Sequence, residues 1–326
     1  MTRLGRRSLI GAGMLTAAAV AAGRPAGAQN FPSKPLRWIV PFAAGGNYDV
    51  TSRLVGEAMG RSLGQTMVID NRPGAGGLVG VEAAINAPAD GYTVVMGSFS
   101  VLFVGPYLAG KSSLIPAVTP IGMLTTVPMV VMARPDGRFA DMRAVLAEAR
   151  AKPGTVTVGH AGNGTTNHIA ILRLQANEKV LFNIIPYKGS GPGLADLMSG
   201  QIDLYVDQLT TSLPQIKGGR LKAILALSLE RIPQLPDVPT PGDIGGTSFD
   251  GGTTAGLFAR AGTPMPIVET LNGAVVAALK DDAVAARLVE LGAVVRPTTV
   301  EAFAAYMKGQ ETGVSELVKS GLLKPE

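Results

Sequence analysis

His160 and His168 are the only two imidazoles in this 326-residue chain, and it has no cysteine. That removes disulfides, thiolate metal sites and thiol nucleophiles at once. Two histidines could serve an acid–base role, but no Gly-x-Ser-x-Gly turn between a strand and a helix stands ready to place a serine. They could hold a metal, but no nearby carboxylates complete a ligand set. His168 therefore reads as a hydrogen-bond donor in a cleft or a helix-end residue, and His160 as structural. The glycine-rich stretch Asn71–Gly77 lacks the Gly-Lys-Ser/Thr of a phosphate loop, and its spacing fails the dinucleotide fingerprint. It reads as a turn. No cofactor is expected.

What remains is binding chemistry at two similar loops. In the run Trp38–Asp49, WIVPFAAGGNYD, an apolar strand stops at Pro41, which cannot donate to a sheet ladder. Ala43, Ala44, Gly45 and Gly46 add no bulk, and Asp49 is expected to cap a helix marked by Val50, Leu54, Ala58 and Leu63. Ala161-Gly162-Asn163-Gly164-Thr165-Thr166 repeats this grammar. A strand that breaks into small residues before a helix leaves backbone N–H groups free, and these attract anions. Ser98, Thr165 and Thr166 add hydroxyls; Asn47 and Asn163 add amides. A carboxylate held this way needs no arginine. The charge of Asp49 would repel it, so this residue caps its helix or orients a bridging water. Lys188 either attracts the anion or is a solvated loop charge. Asp207 either accepts from a ligand hydroxyl or amine or caps the helix at Gln208–Ile216.

The elements that must position these loops alternate. Strands at Leu36–Val40, Met67–Asp70 and Thr93–Met96 are separated by helical patterns, which predicts a parallel sheet with helices on both faces. The apolar run Pro120–Ala133, interrupted by Pro128, reads as a strand leaving one lobe and entering another. There the alternation resumes: a helix at Met142–Ala149, strands at Thr155–Gly159, Phe182–Tyr187 and Ile202–Val206, and a strand at Leu221–Ser228. Thr254–Phe258 rejoins the first lobe, helices follow at Pro266–Ala278 and Ala283–Leu291, and a final helix begins at a Thr298…Glu301 capping box. Residues 29–126 with 227–326 are expected to form lobe one and 127–226 lobe two, each with a mostly parallel sheet, joined by two hinge crossings. Ligands of open α/β sheets bind outside the carboxyl ends of the strands. Two such loops would face one cleft.

Hydrophobic residues make up 46% of the chain and charged ones 16%, with 29 basic and 24 acidic side chains. Residues 1–28 hold Arg3, Arg6, Arg7 and Arg24 and no acid, so the remainder carries 25 basic and 24 acidic groups. A nearly neutral body without a Lys/Arg cluster argues against nucleic acid. Arg6-Arg7-Ser8-Leu9-Ile10, an apolar run to Ala22 and Ala26-Gly27-Ala28 predict a twin-arginine-like signal peptide over residues 1–28 and export to a periplasm.

With these motifs in order, the chain resembles the Bug/TctC-type extracytoplasmic solute receptors of tripartite tricarboxylate transporters. The resemblance runs through Val40–Gly46 with Asp49, Asn71–Gly77, Asp90-Gly91-Tyr92-Thr93, Lys152-Pro153-Gly154, Ala161–Thr165 with His168, Pro186-Tyr187-Lys188-Gly189, Gly200-Gln201-Ile202-Asp203 and Leu235–Thr240. It implies a two-lobed Venus-flytrap fold of the α/β class and no catalysis. It also implies a monomeric receptor that captures a small carboxylate and hands it to an integral-membrane permease. A ligand-presenting subunit for a sensor kinase would share that fold, and a periplasmic hydrolase is the third reading. Together the residues and the resemblance make Phe42, Ala43, Gly46, Asn47, Asp49, Ser98, Asn163, Gly164, Thr165, Thr166, His168 and Asp207 the expected ligand-binding positions. One stretch departs from the family pattern: Gly97–Pro106 replaces a Gly-Thr-His-Ala-Ile-Asn-Pro-like segment. Phe99 or Phe103 is expected to make the pocket wall more apolar and favour an aromatic or longer-chain carboxylate, unless both pack in the core.

Overall fold

The computed structural model describes residues 31–319, 321 and 323. The expected signal peptide lies outside the described residues. The chain divides into residues 1–31 and 32–326, and every element below belongs to the second unit. Among the described residues no helix is long and apolar enough to cross a membrane.

The first half opens with β1 (Leu36–Val40), α1 (Asn47–Leu63), β2 (Met67–Asn71), α2 (Leu78–Ile85) and β3 (Thr93–Gly97). Trp38, Ile39 and Val40 are all buried, because helices cover both faces of the sheet and a strand there needs apolar residues on each side. A π-helical turn (Ser100–Val104) runs into α3 (Gly105–Leu108). Then β4 (Val118–Val127) carries the chain out, and β5 (Met129–Ala133) continues it in a second sheet. Pro128, which has no N–H to give, marks the change of sheet.

The second half adds α4 (Met142–Ala151), β6 (Thr157–His160), α5 (Thr166–Glu178), β7 (Asn183–Pro186), α6 (Ser190–Ser199), β8 (Leu204–Gln208), α7 (Leu209–Lys217) and β9 (Lys222–Leu227). The chain returns through β10 (Thr253–Arg260), then α8 (Met265–Lys280), α9 (Asp282–Glu290), β11 (Val294–Val295) and α10 (Val300–Lys319). The last helix is capped one residue later than expected. Thr299 Oγ1 accepts the Ala302 amide, while Thr298 Oγ1 accepts the amide of Met123.

The two sheets have the orders β11-β4-β10-β3-β1-β2 and β7-β6-β8-β5-β9. The two-lobed α/β class holds, but the sheets are mixed where mostly parallel ones were expected. Only β3-β1-β2 and β7-β6-β8 are parallel. The reason lies in the crossings: β4 leaves as β10 returns, so they pair antiparallel, and β5 pairs antiparallel with both β8 and β9. The β-strand propensity of each segment says nothing about direction; the path of the chain between lobes decides it.

Candidate functional site

Four helices begin around one cavity. The first is α1. Its N-cap is Gly46, in extended conformation, and no side chain caps it. Asp49 is therefore not the cap but the third helical residue. Its carboxylate turns back to accept the Gly45 amide at 2.9 Å and Arg53 Nε at 3.1 Å. Burial works to raise its pKa, but the Arg53 and Gly45 hydrogen bonds outweigh this and hold the carboxyl below its ordinary value. The acid is thus neutralised behind the helix end, and the first-turn amides stay without an intrahelical partner. Asn47 is buried. Its Oδ1 accepts Thr210 Oγ1 at 2.6 Å, across the two halves, while its Nδ2 has no acceptor. An unpaired buried donor costs about 1–3 kcal/mol, so this one is poised for a missing acceptor.

The second is α5. Its N-cap, Thr165, accepts the His168 amide and donates to the Gly162 carbonyl at 2.6 Å. His160 and His168 stack with ring centroids 4.7 Å apart. His168 Nδ1 accepts the Gly164 amide at 3.2 Å, and His160 Nδ1 lies 3.0 Å from the Gly162 carbonyl. Burial lowers the His168 pKa to about 4; burial, with the charge of His168, lowers that of His160 to about 3. Both rings are neutral braces for the loop. Among the described residues no group of three or more His, Cys, Asp or Glu could hold a metal.

The third and fourth are α6 and α7, with N-caps Gly189 and Gln208 and again no side-chain cap. Asp207, expected either to accept from a ligand or to cap α7, lies inside β8 and is fully buried, and the cap position is Gln208. Its carboxylate accepts from Ser190 Oγ at 2.6 Å and from Thr211 Oγ1, and burial pushes its pKa up to about 6. Gln208 Nε2 donates to Asn167 Oδ1 at 3.1 Å and to Thr253 Oγ1 at 2.9 Å, which ties α5 and α7 to the returning strand.

A narrow cavity lies between these helix ends. It is lined by Phe42, Gly46, Asn47 and Tyr48 from the α1 loop; Ser100 and Val101 from the π-helical turn; Ala161, Thr165, Thr166 and Asn167 from the α5 loop; and Ser190, Gln208 and Thr253. No charged side chain is among them. Burial pushes the Tyr48 phenol above its ordinary pKa, so it remains a neutral hydrogen-bonding group, and its ring meets Phe42 edge-on.

Five of the expected positions line this cavity: Phe42, Gly46, Asn47, Thr165 and Thr166. Three lie in the seam where the halves touch. The Ala43 amide donates to the Lys188 carbonyl at 3.1 Å, a Cβ on Gly76 would lie 2.1 Å from the Asn163 carbonyl oxygen, and one on Gly164 would lie 2.4 Å from the Gly105 Cα. Both glycines also have positive φ, +62° and +76°. Asn71–Gly77 is thus more than a turn: it abuts the opposite loop. Lys188 contributes this carbonyl, and its side chain is exposed. Asp49, His168 and Asp207 stand behind the cavity. Ser98 lines a second, outer chamber, where its Oγ pairs with Ser100 Oγ at 2.8 Å. Phe99 stacks on Phe103 at 5.1 Å and faces that outer chamber; neither phenylalanine lines the central cavity. The lining residues not anticipated are Tyr48, Ser100, Val101, Ala161, Asn167, Ser190, Gln208 and Thr253. Ser190 follows a glycine after a strand, the same signal that marked the other two loops. Thr253 has no local signal, because it is brought in by the returning strand.

A family profile described as Tripartite tricarboxylate transporter family receptor (TctC) matches residues 51–316. BugT of Bordetella pertussis is 33% identical over 301 residues, spanning 90% of this chain and 89% of its own length. The structure of the periplasmic binding protein BugD matches with a TM-score of 0.85 at 32% identity, covering 91% of this chain and 100% of that one. MatC from Rhodopseudomonas palustris with bound malate matches with a TM-score of 0.82 at 33% identity, covering 88% and 100%. These neighbours are binding proteins, and the α/β two-lobed architecture is theirs as well as this chain's.

Proposed function

Because this chain belongs to the tripartite tricarboxylate transporter receptor family (TctC), we propose that it is a periplasmic receptor that captures a small carboxylate between its lobes and delivers it to a membrane permease. The observation that carries the reading is the meeting of four helix N-termini at one cavity, three of them uncapped by any side chain, beside the unpaired Nδ2 of Asn47. Helix N-termini carry partial positive charge, and their free amides point at what binds there. A carboxylate offers the acceptors these donors lack. Each charge-assisted hydrogen bond contributes about 1.5–3 kcal/mol, enough without a lysine or arginine.

No catalytic residue enters this reading: the two histidines are neutral and spent on the α5 loop. The protein acts as a monomer by capture. Contacts from both halves to one solute shift the population toward the closed form, and the closed form is what the permease recognises. That MatC holds malate supports a carboxylate as the solute class.

The test is native mass spectrometry of the purified protein for a copurifying solute, followed by thermal shift with a panel of aliphatic and aromatic carboxylates, sugars and amines. Stabilisation confined to carboxylates is the expected result. Stabilisation by sugars or amines alone would overturn the reading.

A further inference from the structure

Asp49 and Asp207 are both buried behind the cavity, but their surroundings differ. Asp49 pairs with Arg53, whereas Asp207 forms no ion pair among the described residues. The groups that face Asp207 are neutral. Ser190 approaches from α6, Thr211 from α7 and Asn167 from α5, and β5 sets Val130 beside it. Tyr205, two residues back on β8, is held protonated by burial and by the Asp207 charge. Ser190 is the first residue of α6 and lines the cavity. Its hydroxyl has one proton, and while Asp207 is ionised that proton points at Oδ1, 2.6 Å away. The cavity then meets only the lone pairs of Ser190 Oγ. Through Ser190 and through Thr211 in the first turn of α7, the ionised acid already answers two of the uncapped helix ends.

We propose that Asp207 is a positioning residue for Ser190 and that capture of a carboxylate takes up one proton at Asp207. This rests on the function proposed above and adds its regulation. The proton comes from the buffer and bonds to Asp207 Oδ1. The new O–H donates to Ser190 Oγ, and the Ser190 hydroxyl turns its own proton toward the solute. The resident acid thereby gives up its charge as the solute brings one in. Burial outweighs the hydrogen bonds from Ser190, Thr211, the Gln208 amide and Asn167, and sets the Asp207 pKa at about 6. A solute carboxylate one hydroxyl away is a like charge and pushes it higher. Above pH 6 the free protein is therefore ionised at Asp207 and the complex protonated, so affinity rises as pH falls and levels off below about 6. His160 and His168 stay neutral, and Asp49 and Arg53 stay charged, throughout that range.

Calorimetry with malate and with benzoate from pH 8 to pH 6, each in two buffers of different ionisation enthalpy, tests it. Binding is expected to be about tenfold tighter at pH 6 than at pH 8, with a net proton uptake that the two buffers report as different heats. Asp207→Asn offers Ser190 a permanent donor. It is expected to bind at pH 8 as tightly as the unaltered protein does at pH 6, and to take up no proton. Ser190→Ala leaves the acid buried but removes the link, so its affinity is expected to be weaker at pH 6 and its pH slope shallower. An affinity of the unaltered protein that is level with pH, heats that do not depend on the buffer, a slope that survives Asp207→Asn, or weaker binding by that variant at pH 8 would each overturn the proposal and leave the carboxylate receptor standing. If neither solute, nor any other carboxylate, binds at any pH, both fall together.

Discussion

The two loops that meet over the cavity are built on opposite plans. The α1 loop ends in an uncapped glycine, buries its acid behind the helix and leaves the Asn47 Nδ2 unpaired. The α5 loop is tied down by its own Thr165 cap and propped by two stacked histidines. One is a seat with open valences; the other is a stiff wall whose hydrogen bonds are largely spent on itself. The difference suggests a division of work between equivalent positions in two lobes, which the proposed function turns into an expectation: affinity from the first loop, rigidity from the second.

Acid separates the two plans most strongly. His160 and His168 titrate at about 3 and about 4 in the folded protein against 6.5 unfolded, and Asp207 at about 6 against 3.8. Folded pKa values below the unfolded one mean that the histidines' contribution is present above pH 6.5 and lost as pH falls; Asp207 works the other way, its penalty vanishing as it takes up a proton. Between pH 6 and 4 the unfolded chain binds two extra histidine protons and the folded chain one on Asp207. Stability should fall as the pH drops through this window, because the unfolded chain takes up the extra proton. Asp49, whose pKa is lowered, keeps its contribution until pH drops below its ordinary 3.8. Urea unfolding at a series of pH values checks this. A flat profile, or one that His168→Asn does not make shallower, would refute the brace.

The seam comes next. Gly164→Ala must push a Cβ against the Gly105 backbone, and overpacking of this kind costs about 1–3 kcal/mol. Solute affinity should drop about ten- to a hundred-fold. Gly45→Ala makes the matched control, because its φ is also positive, +80°, but nothing lies within 4 Å. Equal losses in the two variants, measured by calorimetry, would mean that backbone strain and not contact between the halves is responsible.

Asn47→Ala removes the free donor of the seat. About tenfold weaker carboxylate binding is expected from one charge-assisted hydrogen bond. Thr165→Ala is the smallest and the most diagnostic: loss of a helix cap should lower the unfolding free energy by about 1 kcal/mol and change affinity less than Asn47→Ala does. If the rank order of the two variants in affinity is reversed, the division of labour is wrong.

Much of this was legible in the chain. Apolar runs closed by Pro41 or Gly162 placed the strands and the starts of α1 and α5, because proline and glycine act through local backbone geometry. Strand direction in β4, β5 and β10 was not legible, since it depends on where the chain crosses between lobes. Asp49 and Thr298 look like caps by residue type, yet Gly46, three positions back, and Thr299, one position on, took that role. Phe99 or Phe103 was expected either in the pocket wall or in the core; the π-helical turn, which no short-range pattern announces, leaves Phe99 buried at the edge of the outer chamber. Gly76 looked like a turn residue; its partner, Asn163, lies in another lobe and has no signature near it.

The crossings carry one more consequence. β4 pairs with β10 up to Val127 and Thr253, and β5 pairs with β9 from Met129 and Leu227, so the outgoing strand has a returning neighbour on each side of Pro128. A two-ply strip interrupted at a single crease flexes readily about that crease and resists twisting or sliding. For a closing receptor this predicts travel along one angular coordinate. A single pair of spin labels, one on α1 and one on α6, should report the whole motion as one distance, with no independent second mode.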